Sequence, residues 1–457
     1  MTATRYELEG SKFWEIAVQG KKVTTCFGRV GSPGQVKVKE FARDWEASRY
    51  RRGQVASKRK QGYELVLLGL PGPEPAAARN PELEAMIGAD PERPEPYMVY
   101  ADWLQAQGDP RGELISVEHA LLQRPRNRAL LETRSRLRSP YDEQMRELVR
   151  RANMQAPRNE HRIELEWGLG FVRRARLAHD WFGDQDLPDT MDTRRLFATF
   201  LSLPSTRLIQ DLAVGLWRDS EGQAEYEGVF RALAECRPPA LRRLFIGDFT
   251  YRRQIEMSWT SLGDVSPIYP ALPRLEQLIL QGGSVKLQTI DLPRLRHFEI
   301  RTGGLSRASI GSVVAARWPE LERLVLWFGN PDYGAEGDVE QIAPLLTGEG
   351  IPGVRHLSLM NANFADALCR ALSGARVLEQ LESLDLSKGT MTDEGAAALL
   401  GARDRLRRLK RLDVSDNYLT RESKAALSGL GPEVVFGAQR EPDVWDDEIH
   451  RYVSVGE

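Results

Sequence analysis

Leu381-Glu382-Ser383-Leu384-Asp385-Leu386 is followed twenty-eight residues later by Leu409-Lys410-Arg411-Leu412-Asp413-Val414, with Asn417 and Leu419 completing the second copy. Both have apolar residues at the first, fourth and sixth positions. Such a spacing predicts a short strand that turns its apolar residues toward one core, closed by the neighbouring copies. Between the copies, Thr392 can cap a helix whose packed side holds Gly395, Ala396–Ala398 and Leu399–Leu400. The side chain of Asn417 can hydrogen-bond backbone groups left unpaired where the chain leaves its strand.

The same spacing recurs upstream at Val354-Leu357-Leu359, Leu321-Leu324-Leu326, Leu295-Phe298-Ile300, Leu275-Leu278-Leu280 and Leu241-Leu244-Ile246. Ile209-Leu212-Val214 is a weaker copy, Val172-Ala175-Leu177 reads as a first strand and Val434-Val435-Phe436 as a last. The intervals run from 20 to 37 residues, so some copies carry insertions or lack a full helix. One such spacing arises by chance in any apolar chain; seven good copies in series do not. Together they resemble a leucine-rich repeat array, which implies a solenoid of parallel strands and helices.

With 457 residues the chain is long enough for several domains. Its three cysteines, Cys26, Cys236 and Cys369, are odd in number and far apart, which argues for a reducing compartment rather than a disulfide framework. The first residues, MTATRYELEG, lack the apolar run of a signal peptide, and no apolar stretch reaches the length of a membrane span. A soluble cytoplasmic protein, with no membrane partner, is the expectation.

Residues 1–66 alternate strongly. Trp14, Ile16 and Val18 share one face of a strand, and Val36 and Val38 one face of another, with Lys37 and Lys39 turned the other way. After Phe41 a helical stretch carries Trp45, Ala47 and the basic run Arg49-Tyr50-Arg51-Arg52. Phe27-Gly28-Arg29-Val30-Gly31, then Gly34-Gln35, Lys39-Glu40-Phe41 and Gly62-Tyr63-Glu64, resemble a WGR domain, with Phe27 in place of the tryptophan of the naming triplet. The resemblance implies a small α+β module that contacts DNA, with Phe27 and Arg29 at the contact. Phenylalanine keeps an aromatic face for stacking but lacks the indole N–H donor. Charge supports the resemblance independently: residues 1–66 hold fourteen Lys/Arg against seven Asp/Glu, a net +7 in a chain whose total is −2. Candidate nucleic-acid contacts are Phe27, Arg29, Lys37, Lys39, Arg49, Arg51 and Arg52. The plainer alternative is a solvated basic helix face.

GLPGPEPAAARN, residues 69–80, reads as a Pro/Gly/Ala linker. Helices are expected from Pro81, over Tyr97–Gln107, over Arg111–Gln123 and, amphipathic and rich in Arg and Glu, over 126–153. Tyr100-Ala101-Asp102-Trp103-Leu104, followed by Gly108-Asp109-Pro110-Arg111-Gly112-Glu113-Leu114-Ile115, resembles a bacterial repeat-companion domain. That resemblance implies company with leucine-rich repeats, not a chemistry. Asp102, Asp109 and Glu113 could form a carboxylate cluster; a turn and cap at Asp109-Pro110, with Arg111 and Glu113 as exposed partners, is the preferred reading.

No nucleotide-binding glycine loop, zinc-protease helix, Cys pair or serine elbow is present, and the six histidines are scattered. No metal, cofactor or catalytic residue is therefore expected, and the expected role is not that of an enzyme. Instead, the exposed positions of the repeats form columns. The first reads Arg242, Glu276, Arg296, Glu322, Arg355, Glu382, Lys410, alternating in sign, and predicts a self-neutralising ladder of ion pairs. The second holds Arg243, His297, Arg323, His356 and Arg411 and no acid in the seven clear copies, so an anionic partner would meet this row. The third runs from Phe245 and Ile279 to Asp385 and Asp413.

The tail from Ala438 to Glu457 holds six acidic and two basic residues. Trp445, Ile449 and Tyr452 would share one face of a short helix, either capping the open end of the repeats or folding back on the basic module. The expected fold is thus α/β: a WGR-like α+β domain (1–68), the linker (69–80), a small helical domain (81–153), a leucine-rich repeat solenoid (154–437) and an acidic tail (438–457). The expected function is a non-enzymatic adaptor that binds nucleic acid, DNA by preference, through the first domain and a protein through the repeats. The alternative is a protein-interaction scaffold alone.

Overall fold

A computed structural model describes residues 4–8, 10–66, 78–153, 163–179, 193–217 and 224–456. The linker positions 69–77, and the stretches 154–162 and 180–192 within the expected repeat region, lie outside the described residues.

The N-terminal unit is a five-stranded antiparallel sheet with one helix. β1 (Thr4–Leu8), β2 (Lys12–Gln19), β3 (Lys22–Arg29), β4 (Gln35–Glu40) and β5 (Glu64–Val66) lie in the order β4-β3-β2-β1-β5. Helix α1 (Asp44–Lys60) crosses one face, where Tyr6, Trp14, Ile16, Val23, Ala47 and Val55 are buried together. The alternation expected for Trp14 and Ile16 is thus present. β4 alternates as expected, with Val36 and Val38 on the outer face, 62% and 52% exposed. Register decides this, because Gln35 pairs with Phe27, which puts Lys37, two residues on, on the helix side.

Helices α2 (Pro81–Ala89), α3 (Glu95–Ala106), α4 (Arg111–Gln123) and α5 (Arg128–Asn153) follow. Asn80 opens α2 by accepting from the N–H of Leu83. Two of the carboxylates singled out in this region do structural work, while Asp102 is exposed: Asp109 accepts from the Arg111 N–H at 2.9 Å and from the Tyr141 hydroxyl at 3.2 Å, and Glu113 faces Arg136 at 3.8 Å near the surface. Arg111, expected as an exposed partner, is instead 2% exposed. It is buried because these helices share a core with the chain that follows: Ile87, Tyr97, Tyr100, Ala101, Leu104 and Ile115 pack with Leu169, Phe171, Leu208 and Ala240.

Among the described residues, eleven strands make one large sheet. β6 (Ile163–Gly168) and β7 (Phe171–His179) form an antiparallel hairpin at its edge. The strand through Val172-Ala175-Leu177, expected as the first, is therefore preceded across a turn at Leu169-Gly170 by β6, which is the edge. From β7 onward every pairing is parallel and follows chain order: β8 (Asp211–Trp217), β9 (Arg243–Ile246), β10 (Gln277–Gln281), β11 (His297–Arg301), β12 (Arg323–Gly329), β13 (His356–Ala362), β14 (Ser383–Asp385), β15 (Arg411–Asp413) and β16 (Glu433–Val435).

The apolar positions of the copies line up across this sheet. Leu212, Leu244, Leu278, Phe298, Leu324, Leu357, Leu384, Leu412 and Val434 are successive register partners. All but Val434 are essentially inaccessible, and burial of each such side chain is worth about 1.5–3 kcal/mol relative to exposure. Several intervals hold a helix: α6 (Thr193–Ser202), α7 (Glu227–Cys236), α8 (Arg307–Ala315), α9 (Val339–Thr347), α10 (Ala365–Ser373), α11 (Asp393–Gly401) and α12 (Arg421–Leu427). Thr392 caps α11 as its sequence suggests, with Gly395, Ala396 and Leu399 buried. The uneven intervals are explained too: between β9 and β10 the chain makes only short 3-10 helices and two-residue strands in place of an α-helix, and between β10 and β11 no helix at all.

Asn417 sits where the repeat spacing places it. Its Nδ2 donates to the carbonyls of Leu386, Val414 and Ser415 at 3.0–3.1 Å, and its Oδ1 accepts from the N–H of Met391 at 3.0 Å.

The tail is not a helix. β17 (Asp443–Trp445) and β18 (Glu448–His450) form an antiparallel hairpin that leaves Trp445, Ile449 and Tyr452 exposed. The expected capping face is therefore absent. Two consecutive left-handed residues at its tip, Asp446 and Asp447, suit the twist of a two-residue hairpin turn.

Candidate nucleic-acid interface and the exposed rows of the sheet

Phe27 lies near the end of β3, paired with Trp14 on one side and Gln35 on the other. Alternation turns it toward α1, where it is half-buried against the small core. One edge stays open, with the Lys37 ammonium 5.2 Å from the ring centroid. Lys39 lies 5.1 Å from the Phe41 ring and 4.1 Å from that of Tyr50. These cation–ring contacts hold the lysines along the strand with their charge still hydrated, each worth about 0.5–1 kcal/mol at such a site.

Two clefts meet at Phe27. One of about 470 Å³ is lined by Lys12, Phe13, Arg29, Lys58 and Tyr63 together with the glycine turn. The other, of about 440 Å³, is lined by Trp14, Lys37, Lys39, Tyr50, Gln54 and Lys58. The turn needs its glycine: Gly34 has φ +72°, and a Cβ there would meet Phe13 and the Cys26 sulfur. Arg29 is exposed at the mouth, beside the backbone turn in which Ser32 donates twice to its carbonyl.

The structure thus brings Phe27, Arg29, Lys37 and Lys39 together. The basic run on α1 is placed differently. Tyr50, Gln54 and Lys58 recur every four residues and face the sheet, so Arg49 and Arg51 line neither cleft. Arg49 is exposed and Arg51 half-buried; the side chain of Arg52 lies outside the described residues. Sequence reasoning missed Lys12 and Lys58. The four-residue spacing from Tyr50 would have found Lys58, whereas Lys12 is set by the pairing of β2 with β3, where it lies opposite Arg29.

On the large sheet, Arg243, Gln277, His297, Arg323, His356, Ser383 and Arg411 are consecutive register partners, so the five singled-out cations share one row. The row is less free than its residue types suggest, because its ends are acidic: Asp211 precedes Arg243 and Glu433 follows Arg411. Arg243 pairs with Asp211 at 2.9 Å, His297 meets Glu299 at 3.0 Å, and Arg411 pairs with Asp413 at 3.0 Å and Glu433 at 3.4 Å. His356 shares a 2.8 Å hydrogen bond with Ser383, and burial, together with the Arg323 charge, holds its imidazole below the usual range. Arg323 is exposed and makes no ion pair among the described residues. It is the member of the row best placed to meet an anion.

The first column forms its ladder in separate pairs: Arg242–Glu276 at 3.1 Å, Arg296–Glu322 and Glu382–Lys410 at 2.8 Å. Arg355 instead donates to the Gln380 carbonyl at 3.1 Å. Arg242 differs from the rest, being nearly buried and donating to the carbonyls of Gly88 and Ala89 at the end of α2. A cation at a helix C-terminus is stabilised by the carbonyls exposed there.

Among the described residues no cluster of His, Cys, Asp and Glu is placed to hold a metal ion, and no helix is long and apolar enough to cross a membrane.

A model of the WGR domain family matches residues 1–67. No curated protein matches the chain. Among solved structures, the chain is similar to a protein from Bacteroides fragilis, with 20% identity, 99% of each chain covered and a TM-score of 0.52. That likeness is one of fold over the whole length. Further matches are to the complex of TLR13 with a single-stranded RNA (16% identity, 55% of this chain, 34% of that one, TM-score 0.27) and to an internalin from Listeria monocytogenes (12%, 65%, 90%, TM-score 0.27).

Proposed function

We propose that this chain is a non-enzymatic cytoplasmic adaptor whose WGR domain binds nucleic acid, DNA by preference, while its repeats, read as a leucine-rich solenoid, hold a protein partner. The helices of 81–153, read as a repeat-companion domain, close the first end of that solenoid. The observation that carries the reading is the position of Phe27 between two clefts edged by Lys12, Arg29, Lys37, Lys39 and Lys58. An aromatic ring flanked by cations suits stacking on a base or sugar, with phosphates neutralised on either side. The +7 charge of residues 1–66, on a chain of net −2, supports the same reading. For the solenoid, the supporting feature is the row through Arg323, which would meet an acidic partner surface.

Fluorescence anisotropy of the full chain with intact duplex DNA, nicked duplex and RNA, each in low and moderate salt, tests the proposal. Binding that weakens steeply with salt is the expected result. Absence of binding in low salt refutes it.

One observation favours the scaffold reading. β4 is an edge strand that exposes Val36 and Val38, and a partner strand could add to it there, as extended peptides add to open sheet edges. A Val36→Lys/Val38→Lys double variant separates the two. Loss of a protein partner with nucleic-acid binding retained would assign this edge to protein.

A further inference from the structure

The C-terminal segment returns across the large sheet after leaving it. Gln439 and Arg440 first fasten the chain to the last copy, Gln439 donating to the Val414 carbonyl at 2.9 Å and the Arg440 N–H to the Asn417 carbonyl at 2.7 Å. The hairpin β17–β18 then projects with Val444, Trp445 and Ile449 exposed, its Trp445 ring stacked 3.9 Å from His450. At Tyr452 the chain docks again. The Tyr418 hydroxyl accepts from the Tyr452 N–H at 2.9 Å and donates to its carbonyl at 3.0 Å. The Ser454 N–H donates to the Lys388 carbonyl at 2.9 Å. The Asn361 side chain accepts from the Val455 N–H at 3.0 Å and donates to the Val455 carbonyl at 2.6 Å. Tyr418, Lys388 and Asn361 belong to three successive copies, so the segment runs against the order of the repeats, over the loops that follow their strands.

Val453 and Val455 are buried, and Val455 joins Leu216, Phe249, Ile255 and Met257 in an apolar cluster separate from the main core. Gly456 lies against the Tyr333 ring. Among the described residues this segment pairs with no strand of the sheet. It is held as a ligand is held: the Tyr418 and Asn361 side chains take the backbone N–H and carbonyl of Tyr452 and Val455, and two valines are inserted.

We propose that this groove is a binding site for a short peptide of a partner protein, of Val-x-Val type, and that the chain's own Tyr452–Gly456 occupies it in cis. Asn361 specifies the ligand. Its side chain is 0% exposed, and both polar atoms of its amide are satisfied by Val455. An empty groove strips that amide of both partners and wets the apolar cluster. Only a chain presenting an N–H and a carbonyl on one residue, with small apolar side chains two residues apart, replaces what is lost. The exposed hairpin joins the seated segment to the anchor at Arg440 and supplies the slack for exchange. While attached, the tail competes at an effective concentration on the order of millimolar, so the site is closed to weak ligands.

The test cuts the hairpin. A protease site replacing Asp446-Asp447 at its exposed tip leaves the segment held by non-covalent contacts alone. A labelled peptide of residues 448–456 is then added. The cut chain should take up one equivalent, and the uncut chain at least tenfold less under the same conditions. Asn361→Ala in the cut chain should weaken uptake at least tenfold, while the far-ultraviolet dichroism of the chain stays unchanged. A cut chain that remains folded yet never exchanges its tail would overturn the proposal, as would uptake indifferent to Asn361. A chain truncated after Arg451 gives a second measure: folded but unable to bind the peptide, it equally refutes the site. Uncut protein that forms a dimer by exchanging tails, with no peptide uptake after cutting, assigns the groove to a second copy and overturns the partner-peptide reading.

Discussion

Arg111 donates through Nη1 to the carbonyl oxygen of Gly170 at 2.9 Å, across fifty-nine residues of chain. The N–H of the same glycine donates to Glu118, two turns further along the same face of α4, at 2.8 Å. The tip of the β6–β7 hairpin is thereby gripped at both polar groups of one residue. Gly170 has φ +80°, and a Cβ there would run into Ile115. Arg111 also lies over the rings of Tyr141 and Phe171, 4.2 and 5.1 Å from their centroids, in a buried site.

Arg111→Met keeps most of the volume and removes these hydrogen bonds, leaving the Gly170 carbonyl and the Ser205 hydroxyl short of a donor. It should destabilise the protein by about 2–4 kcal/mol. Glu113→Ala, two residues away and facing solvent, should cost less than about 0.5 kcal/mol. Urea unfolding of the two variants checks the contrast, and equal losses would contradict the burial of Arg111.

Neighbouring residues of β12 should respond in opposite ways. Leu324 is fully buried, and Leu324→Ala should cost about 2–5 kcal/mol. Arg323→Glu should leave stability within about 0.5 kcal/mol of the parent while abolishing capture of an acidic partner. Thermal melts and a pull-down with the two variants read both effects.

At the WGR domain, Phe27→Leu keeps apolar burial but removes the stacking ring. It should weaken nucleic-acid binding by about 1–3 kcal/mol with little change in melting temperature. Lys58→Ala should lower the slope of log K against log salt by about one, the signature of one lost phosphate contact. Anisotropy titrations over a salt series separate the two; a Lys58 variant with unaltered slope would remove that residue from the interface.

The environment of His356 carries a pH dependence. Burial holds its imidazole below the unfolded value, with Arg323 and Lys410 pushing the same way against Glu322 and Glu382. Between the folded and unfolded pKa values the unfolded chain therefore binds more protons than the folded one. The stabilisation is present in full above the unfolded value, near 6.5, and is lost as pH falls toward the folded value. His356→Gln should flatten the fall in melting temperature between about pH 7 and 5. An identical slope in parent and variant would exclude His356 as its source.

The repeats were legible because each copy states its own strand: leucine at the first, fourth and sixth positions turns inward whatever lies far along the chain, and parallel pairing in chain order needs no long-range choice. Asn417 was legible for the same reason, since its partners are the backbone of its own and the adjoining copy. The glycine turn of the first domain and the helix over Arg111–Gln123 are likewise local.

What only the tertiary structure decided depends on contacts between distant segments. Arg111 looks like a surface charge until the hairpin at Gly170 covers it. Alternation puts Val36 and Val38 on one face, but only the pairing of Gln35 with Phe27 decides that this face meets solvent and that Lys37 turns toward the ring. The row through Arg323 looked free of acid until Asp211 and Glu433 closed its ends. The tail is the clearest case. Trp445, Ile449 and Tyr452 have helical spacing, yet burial fell instead to Val453 and Val455, because Tyr418, Lys388 and Asn361 take backbone groups of 452–455 that a helix would bond within itself. Local periodicity encodes which face a segment could bury; the partner that receives that face is set by the rest of the chain.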